Sequence, residues 1–294
     1  MHRTRATFIG FTAILLWSLL ALLTAWSGTM PPFQMTTITF AIGAMVGLVY
    51  FRSQGRWPNI PNGQSKAVLL GIAGLFLYHF LYFTALRNAP AVEASLIAYL
   101  WPLLIVVGSA LMPGEKLKTH HVIGALLGLG GAALILVSRG GGLSGGGSAL
   151  GYASAIGCAF TWAAYSLAAR RFADVPTDAV VLYCAATSLL SLLCHFAFEV
   201  TVWPDSIFQW AAIIALGIGP VGIAFFTWDI GCKNGDIQIL GASSYAAPLL
   251  STLVLIVAGV TAPNITIFLA CLLITLGAVI AAKDMIFKKA QALP

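Results

Sequence analysis

The residues best suited to hold a solute are aromatic and hydroxyl side chains deep within long apolar segments. Trp17, Tyr78, His79, Tyr82, Tyr99, Trp101, Trp162, Tyr165, Ser244 and Tyr245 all lie well inside such segments. An indole or phenol there offers a broad apolar face and one hydrogen-bonding tip. A cavity lined by these groups would suit an apolar or aromatic solute carrying a few polar atoms. The same groups would also serve as packed polar contacts between helices, and residue type alone leaves both readings open. Helical spacing refines the set. Tyr78 and Tyr82 are four apart and share a face, as do Tyr99 and Pro102, three apart. Trp101 is turned about 160° away from Tyr99 at 3.6 residues per turn, so the two are not expected to line one cavity directly.

Bond-making chemistry has no such support. The nine acids (Glu93, Glu115, Asp174, Asp178, Glu199, Asp205, Asp229, Asp236 and Asp284) are read in loops or near helix ends. A carboxylate buried in lipid is costly and marks function, so their placement argues against an obligatory buried-acid proton relay. His79 is the one deep imidazole, read as neutral and hydrogen-bonded, with proton carriage as the alternative. Glu93 lies near Arg87 and is expected to anchor a loop there. No phosphate-binding glycine loop, HExxH metal signature or nucleophile–base set occurs. The five cysteines form no CxxC pair and read as small hydrophobes. The chain is therefore not expected to be an enzyme, and no cofactor or metal is expected.

The elements that must position these groups are membrane helices. Hydrophobic residues make up 60% of the 294 and charged residues only 8%, against about 25% charge in soluble domains. Mean hydropathy is +0.94. Ten helices are predicted, over 8–26, 33–51, 67–86, 90–111, 120–138, 149–169, 177–198, 207–228, 236–258 and 264–282. The fold class is all-α, polytopic in the membrane. Runs this long exclude the short alternation of a barrel. His2, Arg3 and Arg5 before the first run resemble a signal-peptide flank, but no small-residue cleavage site follows Trp26, so a retained helix is expected.

Charge gives the orientation. With the N-terminus in the cytoplasm, 13 of the 15 Lys and Arg fall in inner segments, leaving Arg87 and Arg139 outside. Both termini are then cytoplasmic. The net charge of +6 sits in short segments between apolar runs, which favours lipid headgroups as partners over nucleic acid. Trp26, Trp57, Trp203 and Trp228 read as interfacial anchors.

The chain also repeats. Arg87-Asn88 and Lys233-Asn234, Tyr99 and Tyr245, and Pro102-Leu103-Leu104 and Pro248-Leu249-Leu250 match at an offset of 146, with Trp17 and Trp162 at 145. The glycine-rich stretch 141–148 separates a five-helix unit at 1–140 from another at 149–294. Five is odd, so the second unit enters from the opposite side, giving inverted repeats as in many carriers. Pro102 and Pro248 are expected to kink helices four and nine beside a lined cavity. Gly217, Gly219, Pro220 and Gly222 mark a hinge or close packing. Gly124, Gly128, Gly130, Gly131 and Gly277 mark tight packing or a dimer surface.

Ten spans in two halves, with Pro102, Gly114-Glu115 and Pro248, resemble the drug/metabolite transporter superfamily in its EamA-type branch. Ala6-Thr7-Phe8-Ile9-Gly10, Ala13-Ile14-Leu15-Leu16-Trp17-Ser18, Tyr82-Phe83-Thr84-Ala85-Leu86, Glu93-Ala94-Ser95-Leu96-Ile97 and Tyr99-Leu100-Trp101-Pro102-Leu103 resemble its bacterial aromatic amino acid exporters. The resemblance implies a monomeric carrier of the bacterial inner membrane, exporting aromatic amino acids by alternating access. Selectivity for other amino acids or amphipathic metabolites would be looser. A drug or other metabolite efflux carrier, and a non-transporting membrane scaffold, are the alternatives.

Overall fold

Each of the ten predicted segments falls on helix in the structure, a computed structural model describing residues 1–59, 63–112, 114–140, 146–259, 262 and 264–284. Pro113, read with Gly114 as the end of the fourth helix, residues 141–145 of the linker, and Lys288 and Lys289 among the 13 inner-segment cations fall outside those residues. The elements are α1 (Arg3–Trp17), α2 (Leu20–Trp26), α3 (Pro32–Ser53), α4 (Ser65–Asn88), α5 (Ala91–Ala98), α6 (Trp101–Gly108) and α7 (Thr119–Gly140). They continue with α8 (Ala149–Arg171), α9 (Ala179–Phe198), α10 (Ile207–Leu216), α11 (Ala224–Asn234), α12 (Ile237–Ser243), α13 (Ala246–Val257) and α14 (Ile265–Ala281). A π-helical turn, Gly217–Ile223, joins α10 to α11.

Several helices are long and apolar enough to cross a bilayer, but fewer than the ten expected meet that test. Six do so among the described residues: Arg3–Trp26, Pro32–Ser53, Ser65–Asn88, Glu93–Leu111, Ala179–Phe198 and Ile207–Asn234. The pair α12 and α13, bent by 40° at its break, makes a seventh. Apolar stretches Thr119–Leu134 and Ile265–Ala281 are shorter. Helix α8 is 23 residues long and buries Ser154 and Ser166. It packs against α4, α5, α6 and α11, so its surroundings are largely protein and its composition need not match lipid.

The breaks have local causes. Pro102 and Pro248 have no N–H to return to the carbonyls of Ala98 and Ser244. Both sit in the first turn after a break, where a missing donor costs least, and α12 and α13 bend by 40° at theirs. The Leu103 N–H donates to the Tyr245 hydroxyl at 3.1 Å. In α10–α11, glycines and Pro220 loosen the ladder into the π turn.

Main packing partners are α1 with α11, α3 with α9, α4 with α8, and α7 with α14. Glycine permits the closest approaches. A Cβ on Gly231 would lie 2.6 Å from the Gly10 Cα, and one on Gly74 would lie 2.6 Å from the Tyr165 ring. A Cβ on Gly277 would meet the Gly124 carbonyl at 2.5 Å. The glycines of α7 and α14 thus face each other within the chain, whereas Gly130 faces open space.

Candidate functional site

Four helices each contribute one tryptophan to a layer at the centre of the bundle. Trp17 (α1), Trp101 (α6), Trp162 (α8) and Trp228 (α11) are in mutual contact, with all six centroid separations between 5.1 and 6.4 Å. Trp17 donates through Nε1 to the Pro220 carbonyl at 3.1 Å, in the π turn. Trp228 donates to Ser166 Oγ at 3.1 Å. Trp162 Nε1 is buried and has no hydrogen-bond partner among the described residues. Such a layer presents apolar ring faces and, at Trp162, a buried unused donor.

Helix α4 extends it. Tyr78 lies 5.1 Å from Trp162, and the Tyr78 and Tyr82 rings stack 6.1 Å apart, 6° from parallel. The shared face expected from their spacing is present. Tyr82 Oη and Ser95 Oγ are 3.2 Å apart. His79 donates from Nδ1 to the Leu75 carbonyl at 2.7 Å, which leaves Nε2 as its open nitrogen. Phe40 bridges His79 to Phe225, at 5.0 and 5.3 Å. Tyr78, His79 and Tyr82 are half-buried, whereas Trp101, Trp162, Trp228 and Tyr165 are buried.

The structure thus brings together seven of the sequence-predicted residues: Trp17, Tyr78, His79, Tyr82, Trp101, Trp162 and Tyr165. It separates the other three. Tyr99 packs in a second cluster with Val106, Ala125 and Tyr245, so Tyr99 and Trp101 do point apart. Tyr245 is fully buried and engaged with the Leu103 N–H. Ser244, also fully buried, returns its hydroxyl to the Leu240 carbonyl at 2.7 Å. Of the glycine–proline group, Pro220 touches the site through Trp17. Gly217 packs on Ile42, and Gly222 lies against Gly43.

Two expectations are corrected. Trp228 is no interfacial anchor; it is 0% exposed. Its helix continues to Asn234, six residues beyond the predicted end at 228, which is about 9 Å at 1.5 Å per residue. The same extension places Asp229 and Lys233 inside the bundle, their side chains 1% and 4% exposed and joined Oδ2 to Nζ at 2.6 Å. A buried carboxylate therefore exists, against the sequence reading. Glu93 accepts from the Tyr152 hydroxyl, which itself accepts the Gly147 N–H of the linker at 3.2 Å, while Arg87 pairs with Glu199 at 2.9 Å.

Where α4 begins and α8 and α11 end, a cavity of about 20 Å³ lies beside this pair, room for about one water. Gly71, Tyr165, Phe172, Tyr183, Asp229 and Lys233 are in its wall. That end is tied by Glu115, 2% exposed, which accepts from Arg3 of α1 and Arg170 of α8. Arg3 also reaches Asp236 at 3.0 Å. Among the described residues no cluster of His, Cys, Asp and Glu could hold a metal.

Comparisons with known proteins agree with this architecture. The chain is 53% identical to the aromatic amino acid exporter YddG of Ancylobacter novellus, over 96% of this chain and 98% of that protein. It is 27% identical to YddG of Escherichia coli over 86% of this chain and 88% of that protein. A solved crystal structure superposes with a TM-score of 0.89 at 51% identity, covering 96% of this chain and 98% of its own. Residues 4–137 match the EamA-like transporter family. This chain belongs to the EamA-type drug/metabolite transporter family.

Proposed function

We propose that this protein exports aromatic amino acids across the bacterial inner membrane, holding the ring against the layer of Trp17, Trp101 and Trp162 and the adjoining Tyr78, His79 and Tyr82. The four-tryptophan layer carries the reading. Edge-to-face indoles offer aromatic rings a matched surface, and the relative with 53% identity is itself an aromatic amino acid exporter. Tyr165 extends the wall from below, while Tyr99, Ser244 and Tyr245 act behind it by holding the broken helices.

The proposed mechanism is alternating access by a monomer of ten spans in two inverted halves, both termini cytoplasmic. Two observations support it. The helix breaks fall at Tyr99–Leu100 and Ser244–Tyr245, within one residue of corresponding positions at the repeat offset of 146. If the spans are numbered one to ten, the packing pairs are one with eight, three with six, two with seven and five with ten. A half-turn that exchanges the two halves swaps the first two of these pairs and maps each of the other two onto itself. The half-buried tyrosines of α4 face outward in this orientation, while the Glu115 network closes the cytoplasmic end. Membrane lipid is the surrounding partner.

Export is tested by reconstituting the purified protein in vesicles loaded with labelled phenylalanine. Saturable efflux above that of protein-free vesicles is expected. Efflux that never saturates would support the scaffold alternative.

A further inference from the structure

We propose that Asp229 and Lys233 are the docking site for the charged backbone of the exported amino acid on the cytoplasmic side. The Asp229 carboxylate takes the α-ammonium and the Lys233 ammonium takes the α-carboxylate. This deepens the export reading above and rests on it.

The pair is an expensive thing to bury. Lys233 Nζ lies 2.6 Å from Asp229 Oδ2, and Thr177 Oγ1 donates to the same oxygen at 2.6 Å. Desolvating two charges is rarely repaid by their attraction, and two apolar residues would pack this helix as well. The cost acquires a use when a zwitterion arrives. The solute brings one positive and one negative group, so each protein charge exchanges one partner for another. The net charge of the site is unchanged, and no charge is stranded in either state. A solute lacking one of its charges leaves Asp229 or Lys233 unpaired.

The surroundings fit that exchange. The four-residue spacing puts both side chains on one helix face, and both open onto the cavity between α4, α8 and α11. The Lys233 carbonyl is pinned by Arg170 Nη1 at 2.7 Å, which fixes the helix end that carries the ammonium. Tyr165 supplies an independent sign. Its hydroxyl is buried in the same wall and has no hydrogen-bond partner among the described residues, an unused donor beside two charged groups. Its ring lies 5.3 Å from Trp162, so a solute with its head at the pair has its ring directed at the tryptophan layer. The cavity must widen to admit it. Gly71 and Gly74 are where α4 seats against Tyr183 and Tyr165, and separation of α4 there would open the space.

The test is phenylalanine efflux from vesicles, competed from the cytoplasmic face by 3-phenylpropionate, which lacks the ammonium, and 2-phenylethylamine, which lacks the carboxylate. Asp229→Asn is expected to raise the half-saturation for phenylalanine about tenfold and to erase discrimination against 3-phenylpropionate only. Lys233→Gln is expected to do the same for 2-phenylethylamine only. Tyr165→Phe removes a hydroxyl with no native bond, so it folds, and is expected to raise half-saturation about threefold. It decides the matter if the pair variants fail to fold. Wild-type half-saturation and discrimination in the folded variants would overturn the proposal while leaving the export reading intact. Absence of phenylalanine flux in the wild type would overturn both.

Discussion

The Tyr245 hydroxyl accepts the Leu103 N–H at 3.1 Å, so a side chain from one half of the molecule satisfies a backbone donor freed by the helix break in the other. In a continuous helix that N–H would point at the Tyr99 carbonyl. The contact explains why an aromatic residue that sequence reading assigned to a solute is fully buried. Tyr245→Phe leaves the donor unsatisfied and is expected to destabilise the protein by about 1–3 kcal/mol. Thermal unfolding in detergent checks it; an unchanged midpoint would show the bond to be dispensable.

The tryptophan layer predicts an order of effects at one position. Trp162→Ala removes ring area that faces Trp17, Trp101 and Tyr78. At about 25 cal/mol per Å² of apolar area, it is expected to raise half-saturation for phenylalanine at least tenfold. Trp162→Phe keeps an aromatic face and loses the unpaired Nε1, so its effect should be smaller by several-fold. Equal effects would mean that the indole donor, and not the ring, carries binding.

Close packing of α1 on α11 depends on glycine from both sides. A Cβ on Gly231 would stand 2.6 Å from backbone at Gly10, which cannot rotate away as a side chain can. Gly231→Ala is expected to cost about 1–3 kcal/mol in overpacking. Gly130→Ala, whose Cβ would meet nothing within 4 Å, should be neutral. Unfolding midpoints of the two variants, compared side by side, give the check.

Asp178 makes a pH-dependent contribution outside the spans. Burial pushes its carboxyl up, but hydrogen bonds from Arg56 and the Asn59 N–H draw it down, and the net direction is downward. A group with a folded pKa below its unfolded value stabilises above the unfolded pKa, about 3.9. That contribution is lost as pH falls through the lower, folded pKa. Stability of the wild type over Asp178→Asn should therefore be constant from pH 5 to 8 and shrink below about pH 4. A difference that grew on acidification would contradict the sign.

Much of this architecture was legible in the residues themselves. Long apolar runs mark the helices because lipid requires self-satisfied backbone, and Pro102 and Pro248 mark the breaks because a missing donor acts locally. The stacking of Tyr78 on Tyr82 follows from helical spacing alone. What escaped depended on phase and distance. Ending the eighth helix at 228 hid both Trp228 and the Asp229–Lys233 pair, although a carboxylate four residues before a lysine was the available signal. The π turn adds to the difficulty, because it changes which face the following residues present. The partner of Arg87 is 112 residues away, and no local pattern encodes it. Among the described residues six or seven helices, not ten, pass as spans by length and apolarity: Thr119–Leu134 and Ile265–Ala281 are apolar but short, and α8, packed on four other helices, need not be as apolar as a helix facing lipid.

The central claim, that a tryptophan-lined carrier selects aromatic amino acids, is tested most directly by counterflow of labelled phenylalanine in reconstituted vesicles. Unlabelled tyrosine, tryptophan, alanine and a nucleobase serve as competitors. Tyrosine and tryptophan should compete at concentrations at least about tenfold below alanine, since ring burial is worth more than 1.4 kcal/mol, and the nucleobase should compete poorly. Equal competition by alanine and tryptophan would contradict the account.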